Sequence, residues 1–220
     1  MKTQEKNFDG IKLSGFTAIL IMLALTGTAI YLLSLPQTPS IIAGVICGIC
    51  VVVMLPGFMI IQPNNSRVLT FFGRYARTVI SNGFYWVNPL FLKSTVTLRI
   101  LNLNIDPIKV NDKVGNPIMI GAVVVWRIKD TYKASFDISG NIREFVQIQS
   151  DAALRQVAGM YAYDTNETID KVTLRSDESG EITQRLEDEL NSRLAIAGIE
   201  IVEARINYLA YASEIASVML

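Results

Sequence analysis

Two uncharged apolar stretches near the start constrain this chain more than anything else in it. Residues 13–35, LSGFTAILIMLALTGTAIYLLSL, hold no charged side chain over 23 positions, and residues 41–61, IIAGVICGICVVVMLPGFMII, hold none over 21. At about 1.5 Å per residue the helices they predict would be roughly 34 and 32 Å long, against a bilayer core of roughly 30 Å. A cleaved signal peptide has a shorter apolar region, and here a second span follows at once, so the first stretch is expected to be a retained anchor.

Only PQTPS, residues 36–40, separates the spans, whereas Lys2, Lys6 and Lys12 precede the first and Arg67, Arg74 and Arg77 follow the second. Basic residues collect on the cytoplasmic side of short membrane loops, which places both ends, and everything after residue 61, in the cytoplasm. The pair can be two full crossings or a hairpin dipping into one leaflet. Span length favours crossings, while Pro56 and Gly57 are a helix break that would suit the dip. Gly44 and Gly48 form a GxxxG, which lets helix backbones approach closely. Cys47 and Cys50, spaced CxxC within the same apolar run, read as small lipid-compatible side chains rather than a redox dithiol.

The remaining chain has room for one or two small domains. Its charges are uneven: between Gln62 and Ile105 there are five basic residues and no acid, and from Asp137 to Glu203 fourteen acids against six bases. Histidine is absent, which removes the Ser-His-Asp, Cys-His and HExxH chemistries. There is no phosphate-cradling glycine loop and no metal-ligand spacing, and Glu187, Asp188 and Glu189 splay around a helix rather than converge. No enzyme, cofactor, metal or nucleic-acid partner is expected.

Periodicity predicts an α+β soluble region. SRVLTFFG (66–73) and GFYWV (83–87) read as short strands linked through RYARTVISN. From Thr95 the apolar set shifts phase, from Val96, Leu98 and Ile100 to Leu101, Leu103 and Ile105, which predicts a bulge or a change of packing surface. PIMIGAVVVWRIKD puts Ile118, Ile120, Ala122, Val124, Trp126 and Ile128 on one strand face, and the turn cluster before it predicts a hairpin. A helix within 141–164 would bury Ile142, Phe145, Val146, Ala153, Val157, Met160 and Tyr161, with Asp151 and Arg155 as a solvated i,i+4 pair. A second amphipathic helix carries the row Ile182, Leu186, Leu190, Leu194 and ends at Gly198. GIEIVEARINYL then gives a strand with Val202, Ala204 and Ile206 on one face, and YASEIASVML starts another helix.

From about Gly57 onward the chain resembles the SPFH (band 7) superfamily of stomatin, prohibitin, flotillin and the bacterial protease-associated SPFH proteins. The resemblance rests on IIQPNNSRVLTFFGRYARTVISNGFYWVNPLF, KVNDKVGNPIMIGAVVVWRIKDTYKASFDI, ALRQVAGMYAYD and GIEIVEARINYLAYASEIASVML, in that order. It implies a membrane-anchored scaffold with a β-rich subdomain lying against the bilayer, an α/β subdomain, and a long helix continuing from the last block. It also implies assembly into a large homo-oligomer around membrane lipids, with a membrane protease or channel as a partner. Two long spans before the domain depart from relatives with one span or a shallow hairpin. The expected order is a tail at 1–12, spans at 13–35 and 41–61 with an extracytoplasmic turn at 36–40, subdomains at 62–130 and 131–210, and a helix start at 211–220.

SNGFYWVNPLF, residues 81–91, follows the second span closely and is flanked by basic residues. Aromatic rings beside cations suit the headgroup region, so Phe84, Tyr85, Trp86 and Phe91, with Arg74 and Arg77, are expected to touch the membrane, although strand alternation should turn some rings inward.

Overall fold

A computed structural model describes residues 13–164, 172–176 and 180–213. The expected tail at 1–12 and most of the expected terminal helix, residues 214–220, lie outside the described residues. The chain divides into two compact units at Leu98/Arg99. That division differs from the boundary expected at 130, for a reason visible in the sheet of the second unit.

The first unit opens with a two-residue strand, β1 (Leu13–Ser14), and then the apolar helices α1 (Gly15–Ser34) and α2 (Thr38–Met54). A 3-10 turn, Leu55–Gly57, closes α2. Counting that turn, each helix has 20 residues, enough for about 30 Å of hydrocarbon, and most of its surface is exposed. Apolar faces this large need a non-aqueous neighbour. The hydroxyls of Thr26 and Thr28 donate back to Met22 O and Ala24 O at 2.8 and 3.0 Å, so these polar groups need no water. α1 and α2 pack on each other at Gly44, where a Cβ would come within 2.8 Å of Leu33 and 3.1 Å of Ala29 O. Gly48 has open space around it, so of the GxxxG only Gly44 packs the helices within this chain.

The second span was expected to run to residue 61. Instead Pro56 and Gly57 end the helix, and Phe58–Ile61 form β2, because this segment pairs antiparallel with β5 (Gly83–Trp86). β3 (Asn65–Phe71), β4 (Arg74–Val79) and β6 (Phe91–Thr97) complete the unit as two three-stranded sheets, β1-β5-β2 and β4-β3-β6. RYARTVISN is therefore mostly strand, not link: its alternation is masked because Arg74, Tyr75 and Arg77 stand where half-buried strands usually carry aliphatics. Met59, Ile61, Leu69, Val79 and Val87 form the core of the unit, with Ala76, Tyr85 and Phe91 packed against it.

In the second unit β7 (Leu101–Asn111), β8 (Pro117–Ile128) and β9 (Ile199–Tyr211) make one antiparallel sheet in that order. β8 is its centre, with all six expected inward residues buried. Because β7 and β8 bond into the same sheet as β9, the unit starts at Arg99, and the phase change near residue 100 marks the passage from one sheet to the other. α3 (Thr131–Phe136) is short; α4 (Ile142–Ala158) and α5 (Glu181–Leu194) follow. α5 buries its four-residue row of Ile182, Leu186, Leu190 and Leu194 completely, and Gly198 at φ 67° ends the element through a 3-10 turn.

Three expectations about these elements are corrected. Met160 and Tyr161 fall beyond the end of α4, which buries Ser150, Leu154 and Ala158 besides Val146, Ala153 and Val157. Among the described residues Asp151 and Arg155 form no ion pair: Arg155 Nη1 donates to Lys109 O at 3.2 Å, and Asp151 Oδ1 is buried without a hydrogen-bond partner. Burial pushes the Asp151 carboxyl up, against the pull of Arg155 and with a further push from Asp106. On β9, Val202 is exposed, since the pairing shifts by one residue between Val125 and Trp126 and leaves Val202 in the bulge.

The β7–β8 turn is built on Asp112, which is almost fully buried. Its Oδ1 accepts from the amides of Val114, Gly115 and Asn116 at 3.0, 2.8 and 2.7 Å, and its Oδ2 from Tyr163 N at 3.0 Å and Asn116 Nδ2 at 3.2 Å. Burial opposes ionisation here, but the hydrogen bonds outweigh it and hold the carboxyl below its ordinary value.

Candidate membrane interface

The aromatic run lies on β5, and period-two alternation sends its rings to opposite faces. Tyr85 pairs with Met59 and packs on the core, and its hydroxyl donates to Asn82 O at 3.0 Å. Phe84 and Trp86 pair with Ile60 and Phe58 on the other face, which looks toward the ends of the two helices. Phe84 stacks on Phe58 with centroids 5.6 Å apart and meets Phe16 of α1 edge-on at 5.5 Å. Gly15, the first residue of α1, lies directly under the Phe84 ring, with no room for a Cβ.

Trp86 and Lys93 finish α2. The last carbonyls of a helix have no partner within it, and burying them unpaired is costly. Trp86 Nε1 donates to Met54 O at 2.9 Å; Lys93 Nζ donates to Pro56 O and, at 3.2 Å, to Phe58 O. Val87 N donates to Gly57 O at 3.0 Å. A cation at this end also opposes the helix dipole. Since Leu13 and Ser14 pair with Trp86 and Tyr85, both ends of the helical hairpin are fastened to one strand.

A second apolar feature was not foreseen. β3 and β4 are joined at Phe72–Gly73, both at positive φ, 46° and 79°. That backbone strains a phenylalanine and suits a tight hairpin. Phe72 is 79% exposed, its ring edge-on to Phe71, which in turn meets Phe91. Phe91 opposes Phe71 and Lys93 opposes Leu69, so this tip lies at the end of the sheet from which Lys93 reaches the close of α2. Leu90 and Leu92, at the same end, are exposed. The sequence signal for this hairpin is FFG between SRVLT and RYARTV, the second of which returns as β4. Of the other expected contacts, Phe91 is half-buried, Arg74 is exposed at the hairpin, and Arg77 pairs with Leu69.

A family model described as SPFH domain / Band 7 family matches residues 59–219. The chain belongs to this family. No curated protein matches it at a significant level. The SPFH domain thus begins within β2, directly after the turn that closes α2, and the anchor and the domain share β5. At family level the SPFH domain is that of stomatin- and prohibitin-type membrane scaffolds, which are generally not enzymes. The two apolar helices that precede it are compatible with membrane anchoring.

Proposed function

We propose that this chain is a non-enzymatic scaffold of the SPFH type, anchored by two membrane crossings with its domain in the cytoplasm, that self-assembles to organise a patch of membrane and the proteins in it. The observation that carries the reading is the fastening of both hairpin ends to β5, with Trp86 and Lys93 capping α2. A domain joined in this way is held at the bilayer surface rather than tethered to it. Both helices run unbroken, with Pro56 at the end of α2, which favours crossing over dipping. The acid-free stretch 62–105 leaves the bilayer first, where each basic residue near an anionic leaflet gains up to about 1 kcal/mol.

Full-length protein in mild detergent or native-membrane discs is expected to be a very large homo-oligomer by light scattering and electron microscopy. A clean monomer at low micromolar concentration overturns self-assembly. A stoichiometric complex with a membrane protease or channel, without self-association, would instead make the chain a regulatory subunit.

The membrane contact is proposed to combine the Phe84–Trp86 face with the Phe72 tip, Phe91, Leu90, Leu92 and the flanking Arg74 and Arg77. The chain has two tryptophans, so Trp126→Phe leaves Trp86 as sole reporter. In liposomes its fluorescence is expected to be quenched by lipids brominated near the glycerol and poorly by acrylamide. Strong acrylamide quenching with no effect of bromolipid would place β5 in water.

A further inference from the structure

The outer face of β2 and β5 carries an open pocket of about 450 Å³, bordered by Pro56, Phe58, Ile60, Phe84, Arg67 and Lys93. A smaller hollow of about 300 Å³ adjoins it across Arg67 and Ile60. Its chemistry is two-sided. Phe58 and Phe84 form a stacked apolar floor next to the end of α2. Arg67 stands opposite Thr95 in the β3–β6 register and so diagonal to Lys93, a relation that puts backbones about 7–8 Å apart and lets long side chains meet.

Two cations on one face need a reason, because like charges on neighbouring strands repel. Among the described residues neither forms an ion pair, and no acid occurs anywhere between Gln62 and Ile105 to supply one. Burial and then the Arg67 guanidinium draw the Lys93 ammonium below its ordinary value. Lys93 is held by the carbonyls of Pro56 and Phe58, whereas among the described residues the fork of Arg67 meets no protein acceptor that would turn it away from the pocket.

We infer that this pocket binds the phosphate of an anionic phospholipid between Arg67 and Lys93, with the glycerol and first acyl carbons over Phe58 and Phe84. The inference rests on the proposed membrane placement of α1 and α2, which brings the pocket to headgroup level. An arginine fork can take two phosphate oxygens while a lysine neutralises the rest as a point charge. A zwitterionic choline lipid would bring a third cation to the site, and free phosphate would leave the aromatic floor unused.

The test titrates the full-length protein in nonionic detergent with dihexanoyl-phosphatidylglycerol, dihexanoyl-phosphatidylcholine or inorganic phosphate, counting bound molecules by native mass spectrometry. One phosphatidylglycerol per chain is expected to bind about tenfold tighter than either alternative, with that preference lost in Arg67→Gln, weakened in Arg67→Lys, which keeps the charge without the fork, and kept in Arg143→Gln, an exposed arginine of α4. Arg67→Gln is expected to melt no lower than wild type without lipid, since it removes a repulsion. Equal losses in Arg67→Gln and Arg143→Gln would mean diffuse charge and overturn the pocket, as would phosphate binding as tightly as the lipid, or loss of both melting temperature and preference in Arg67→Lys. Alkaline carbonate extraction from liposomes separates the two readings. If wild type and Arg67→Gln both stay in the membrane but no lipid preference exists, only the pocket fails; if both are extracted, the membrane placement fails.

Discussion

Gly57→Val should cost this protein about 3–5 kcal/mol, the sum of overpacking and two lost hydrogen bonds. A Cβ at residue 57 would meet Trp86 Cε2 at 2.6 Å and Val87 O at 2.7 Å, and the second of these is backbone that cannot turn aside. Making room means moving β5 away from the 3-10 turn. That breaks the bond from Trp86 Nε1 to Met54 O and the one from Val87 N to Gly57 O, leaving helix-end carbonyls unpaired. Domains of this size have roughly 5–15 kcal/mol in all, so a large fraction of the stability goes. Thermal unfolding in detergent, followed by tryptophan fluorescence, is the measurement. Gly48→Val is the control, since nothing lies within 4 Å of a Cβ there. If Gly57→Val melts within a few degrees of that control, the fastening of anchor to domain at this turn is refuted.

The second large effect is expected at Asp112. An asparagine there keeps an oxygen for the amides of Val114, Gly115 and Asn116 but turns an NH2 toward Tyr163 N and Asn116 Nδ2, two donors facing a donor. Asp112→Asn is expected to cost about 2 kcal/mol at neutral pH, and Asp112→Ala more, because every donor then loses its acceptor. The pH dependence has a definite sign. The folded carboxyl lies below its ordinary 3.8, so its contribution is present above that value and is lost as the pH falls below it, through the lower folded pKa. Unfolding of wild type and Asp112→Asn compared at pH 7 and pH 3 should show the gap narrowing in acid. A gap independent of pH would mean that the charge of Asp112 contributes nothing and only its shape matters.

Much of the fold could be read because its periodicities are strong. The α5 row of four buried aliphatics and the six alternating residues of β8 announce helix and strand without help from the rest of the chain. The misreadings have a common physical origin, in that tertiary pairing overrides local pattern. FMII is as apolar as the helix before it, and only pairing with GFYW makes it a strand. RYARTV is too polar for its period to show. Val202 has the right spacing to face inward but sits in a bulge that only the β8 register reveals. At the candidate site the aromatic run and the basic residues stood out in the sequence. The capping of α2 by Trp86 and Lys93 did not, because those contacts join residues more than thirty positions apart.

What the sequence determined by itself is chemical class. Two charge-free spans are long enough to cross a bilayer, an acid-free segment follows the second, and the absence of histidine removes the chemistries that need an imidazole, since burial and charge follow directly from residue type. What the tertiary structure decided is where these properties meet. A strand's two faces are equivalent until it pairs, and β5 acquires a core side and a helix side only when Tyr85 turns to the core and Phe84 and Trp86 close over Gly15 and Gly57. Arg67 and Lys93, 26 positions apart, become one cationic pair only through the antiparallel register of β3 and β6. Register is a non-local quantity set by packing of the whole unit, which is why no single stretch of this sequence contains it.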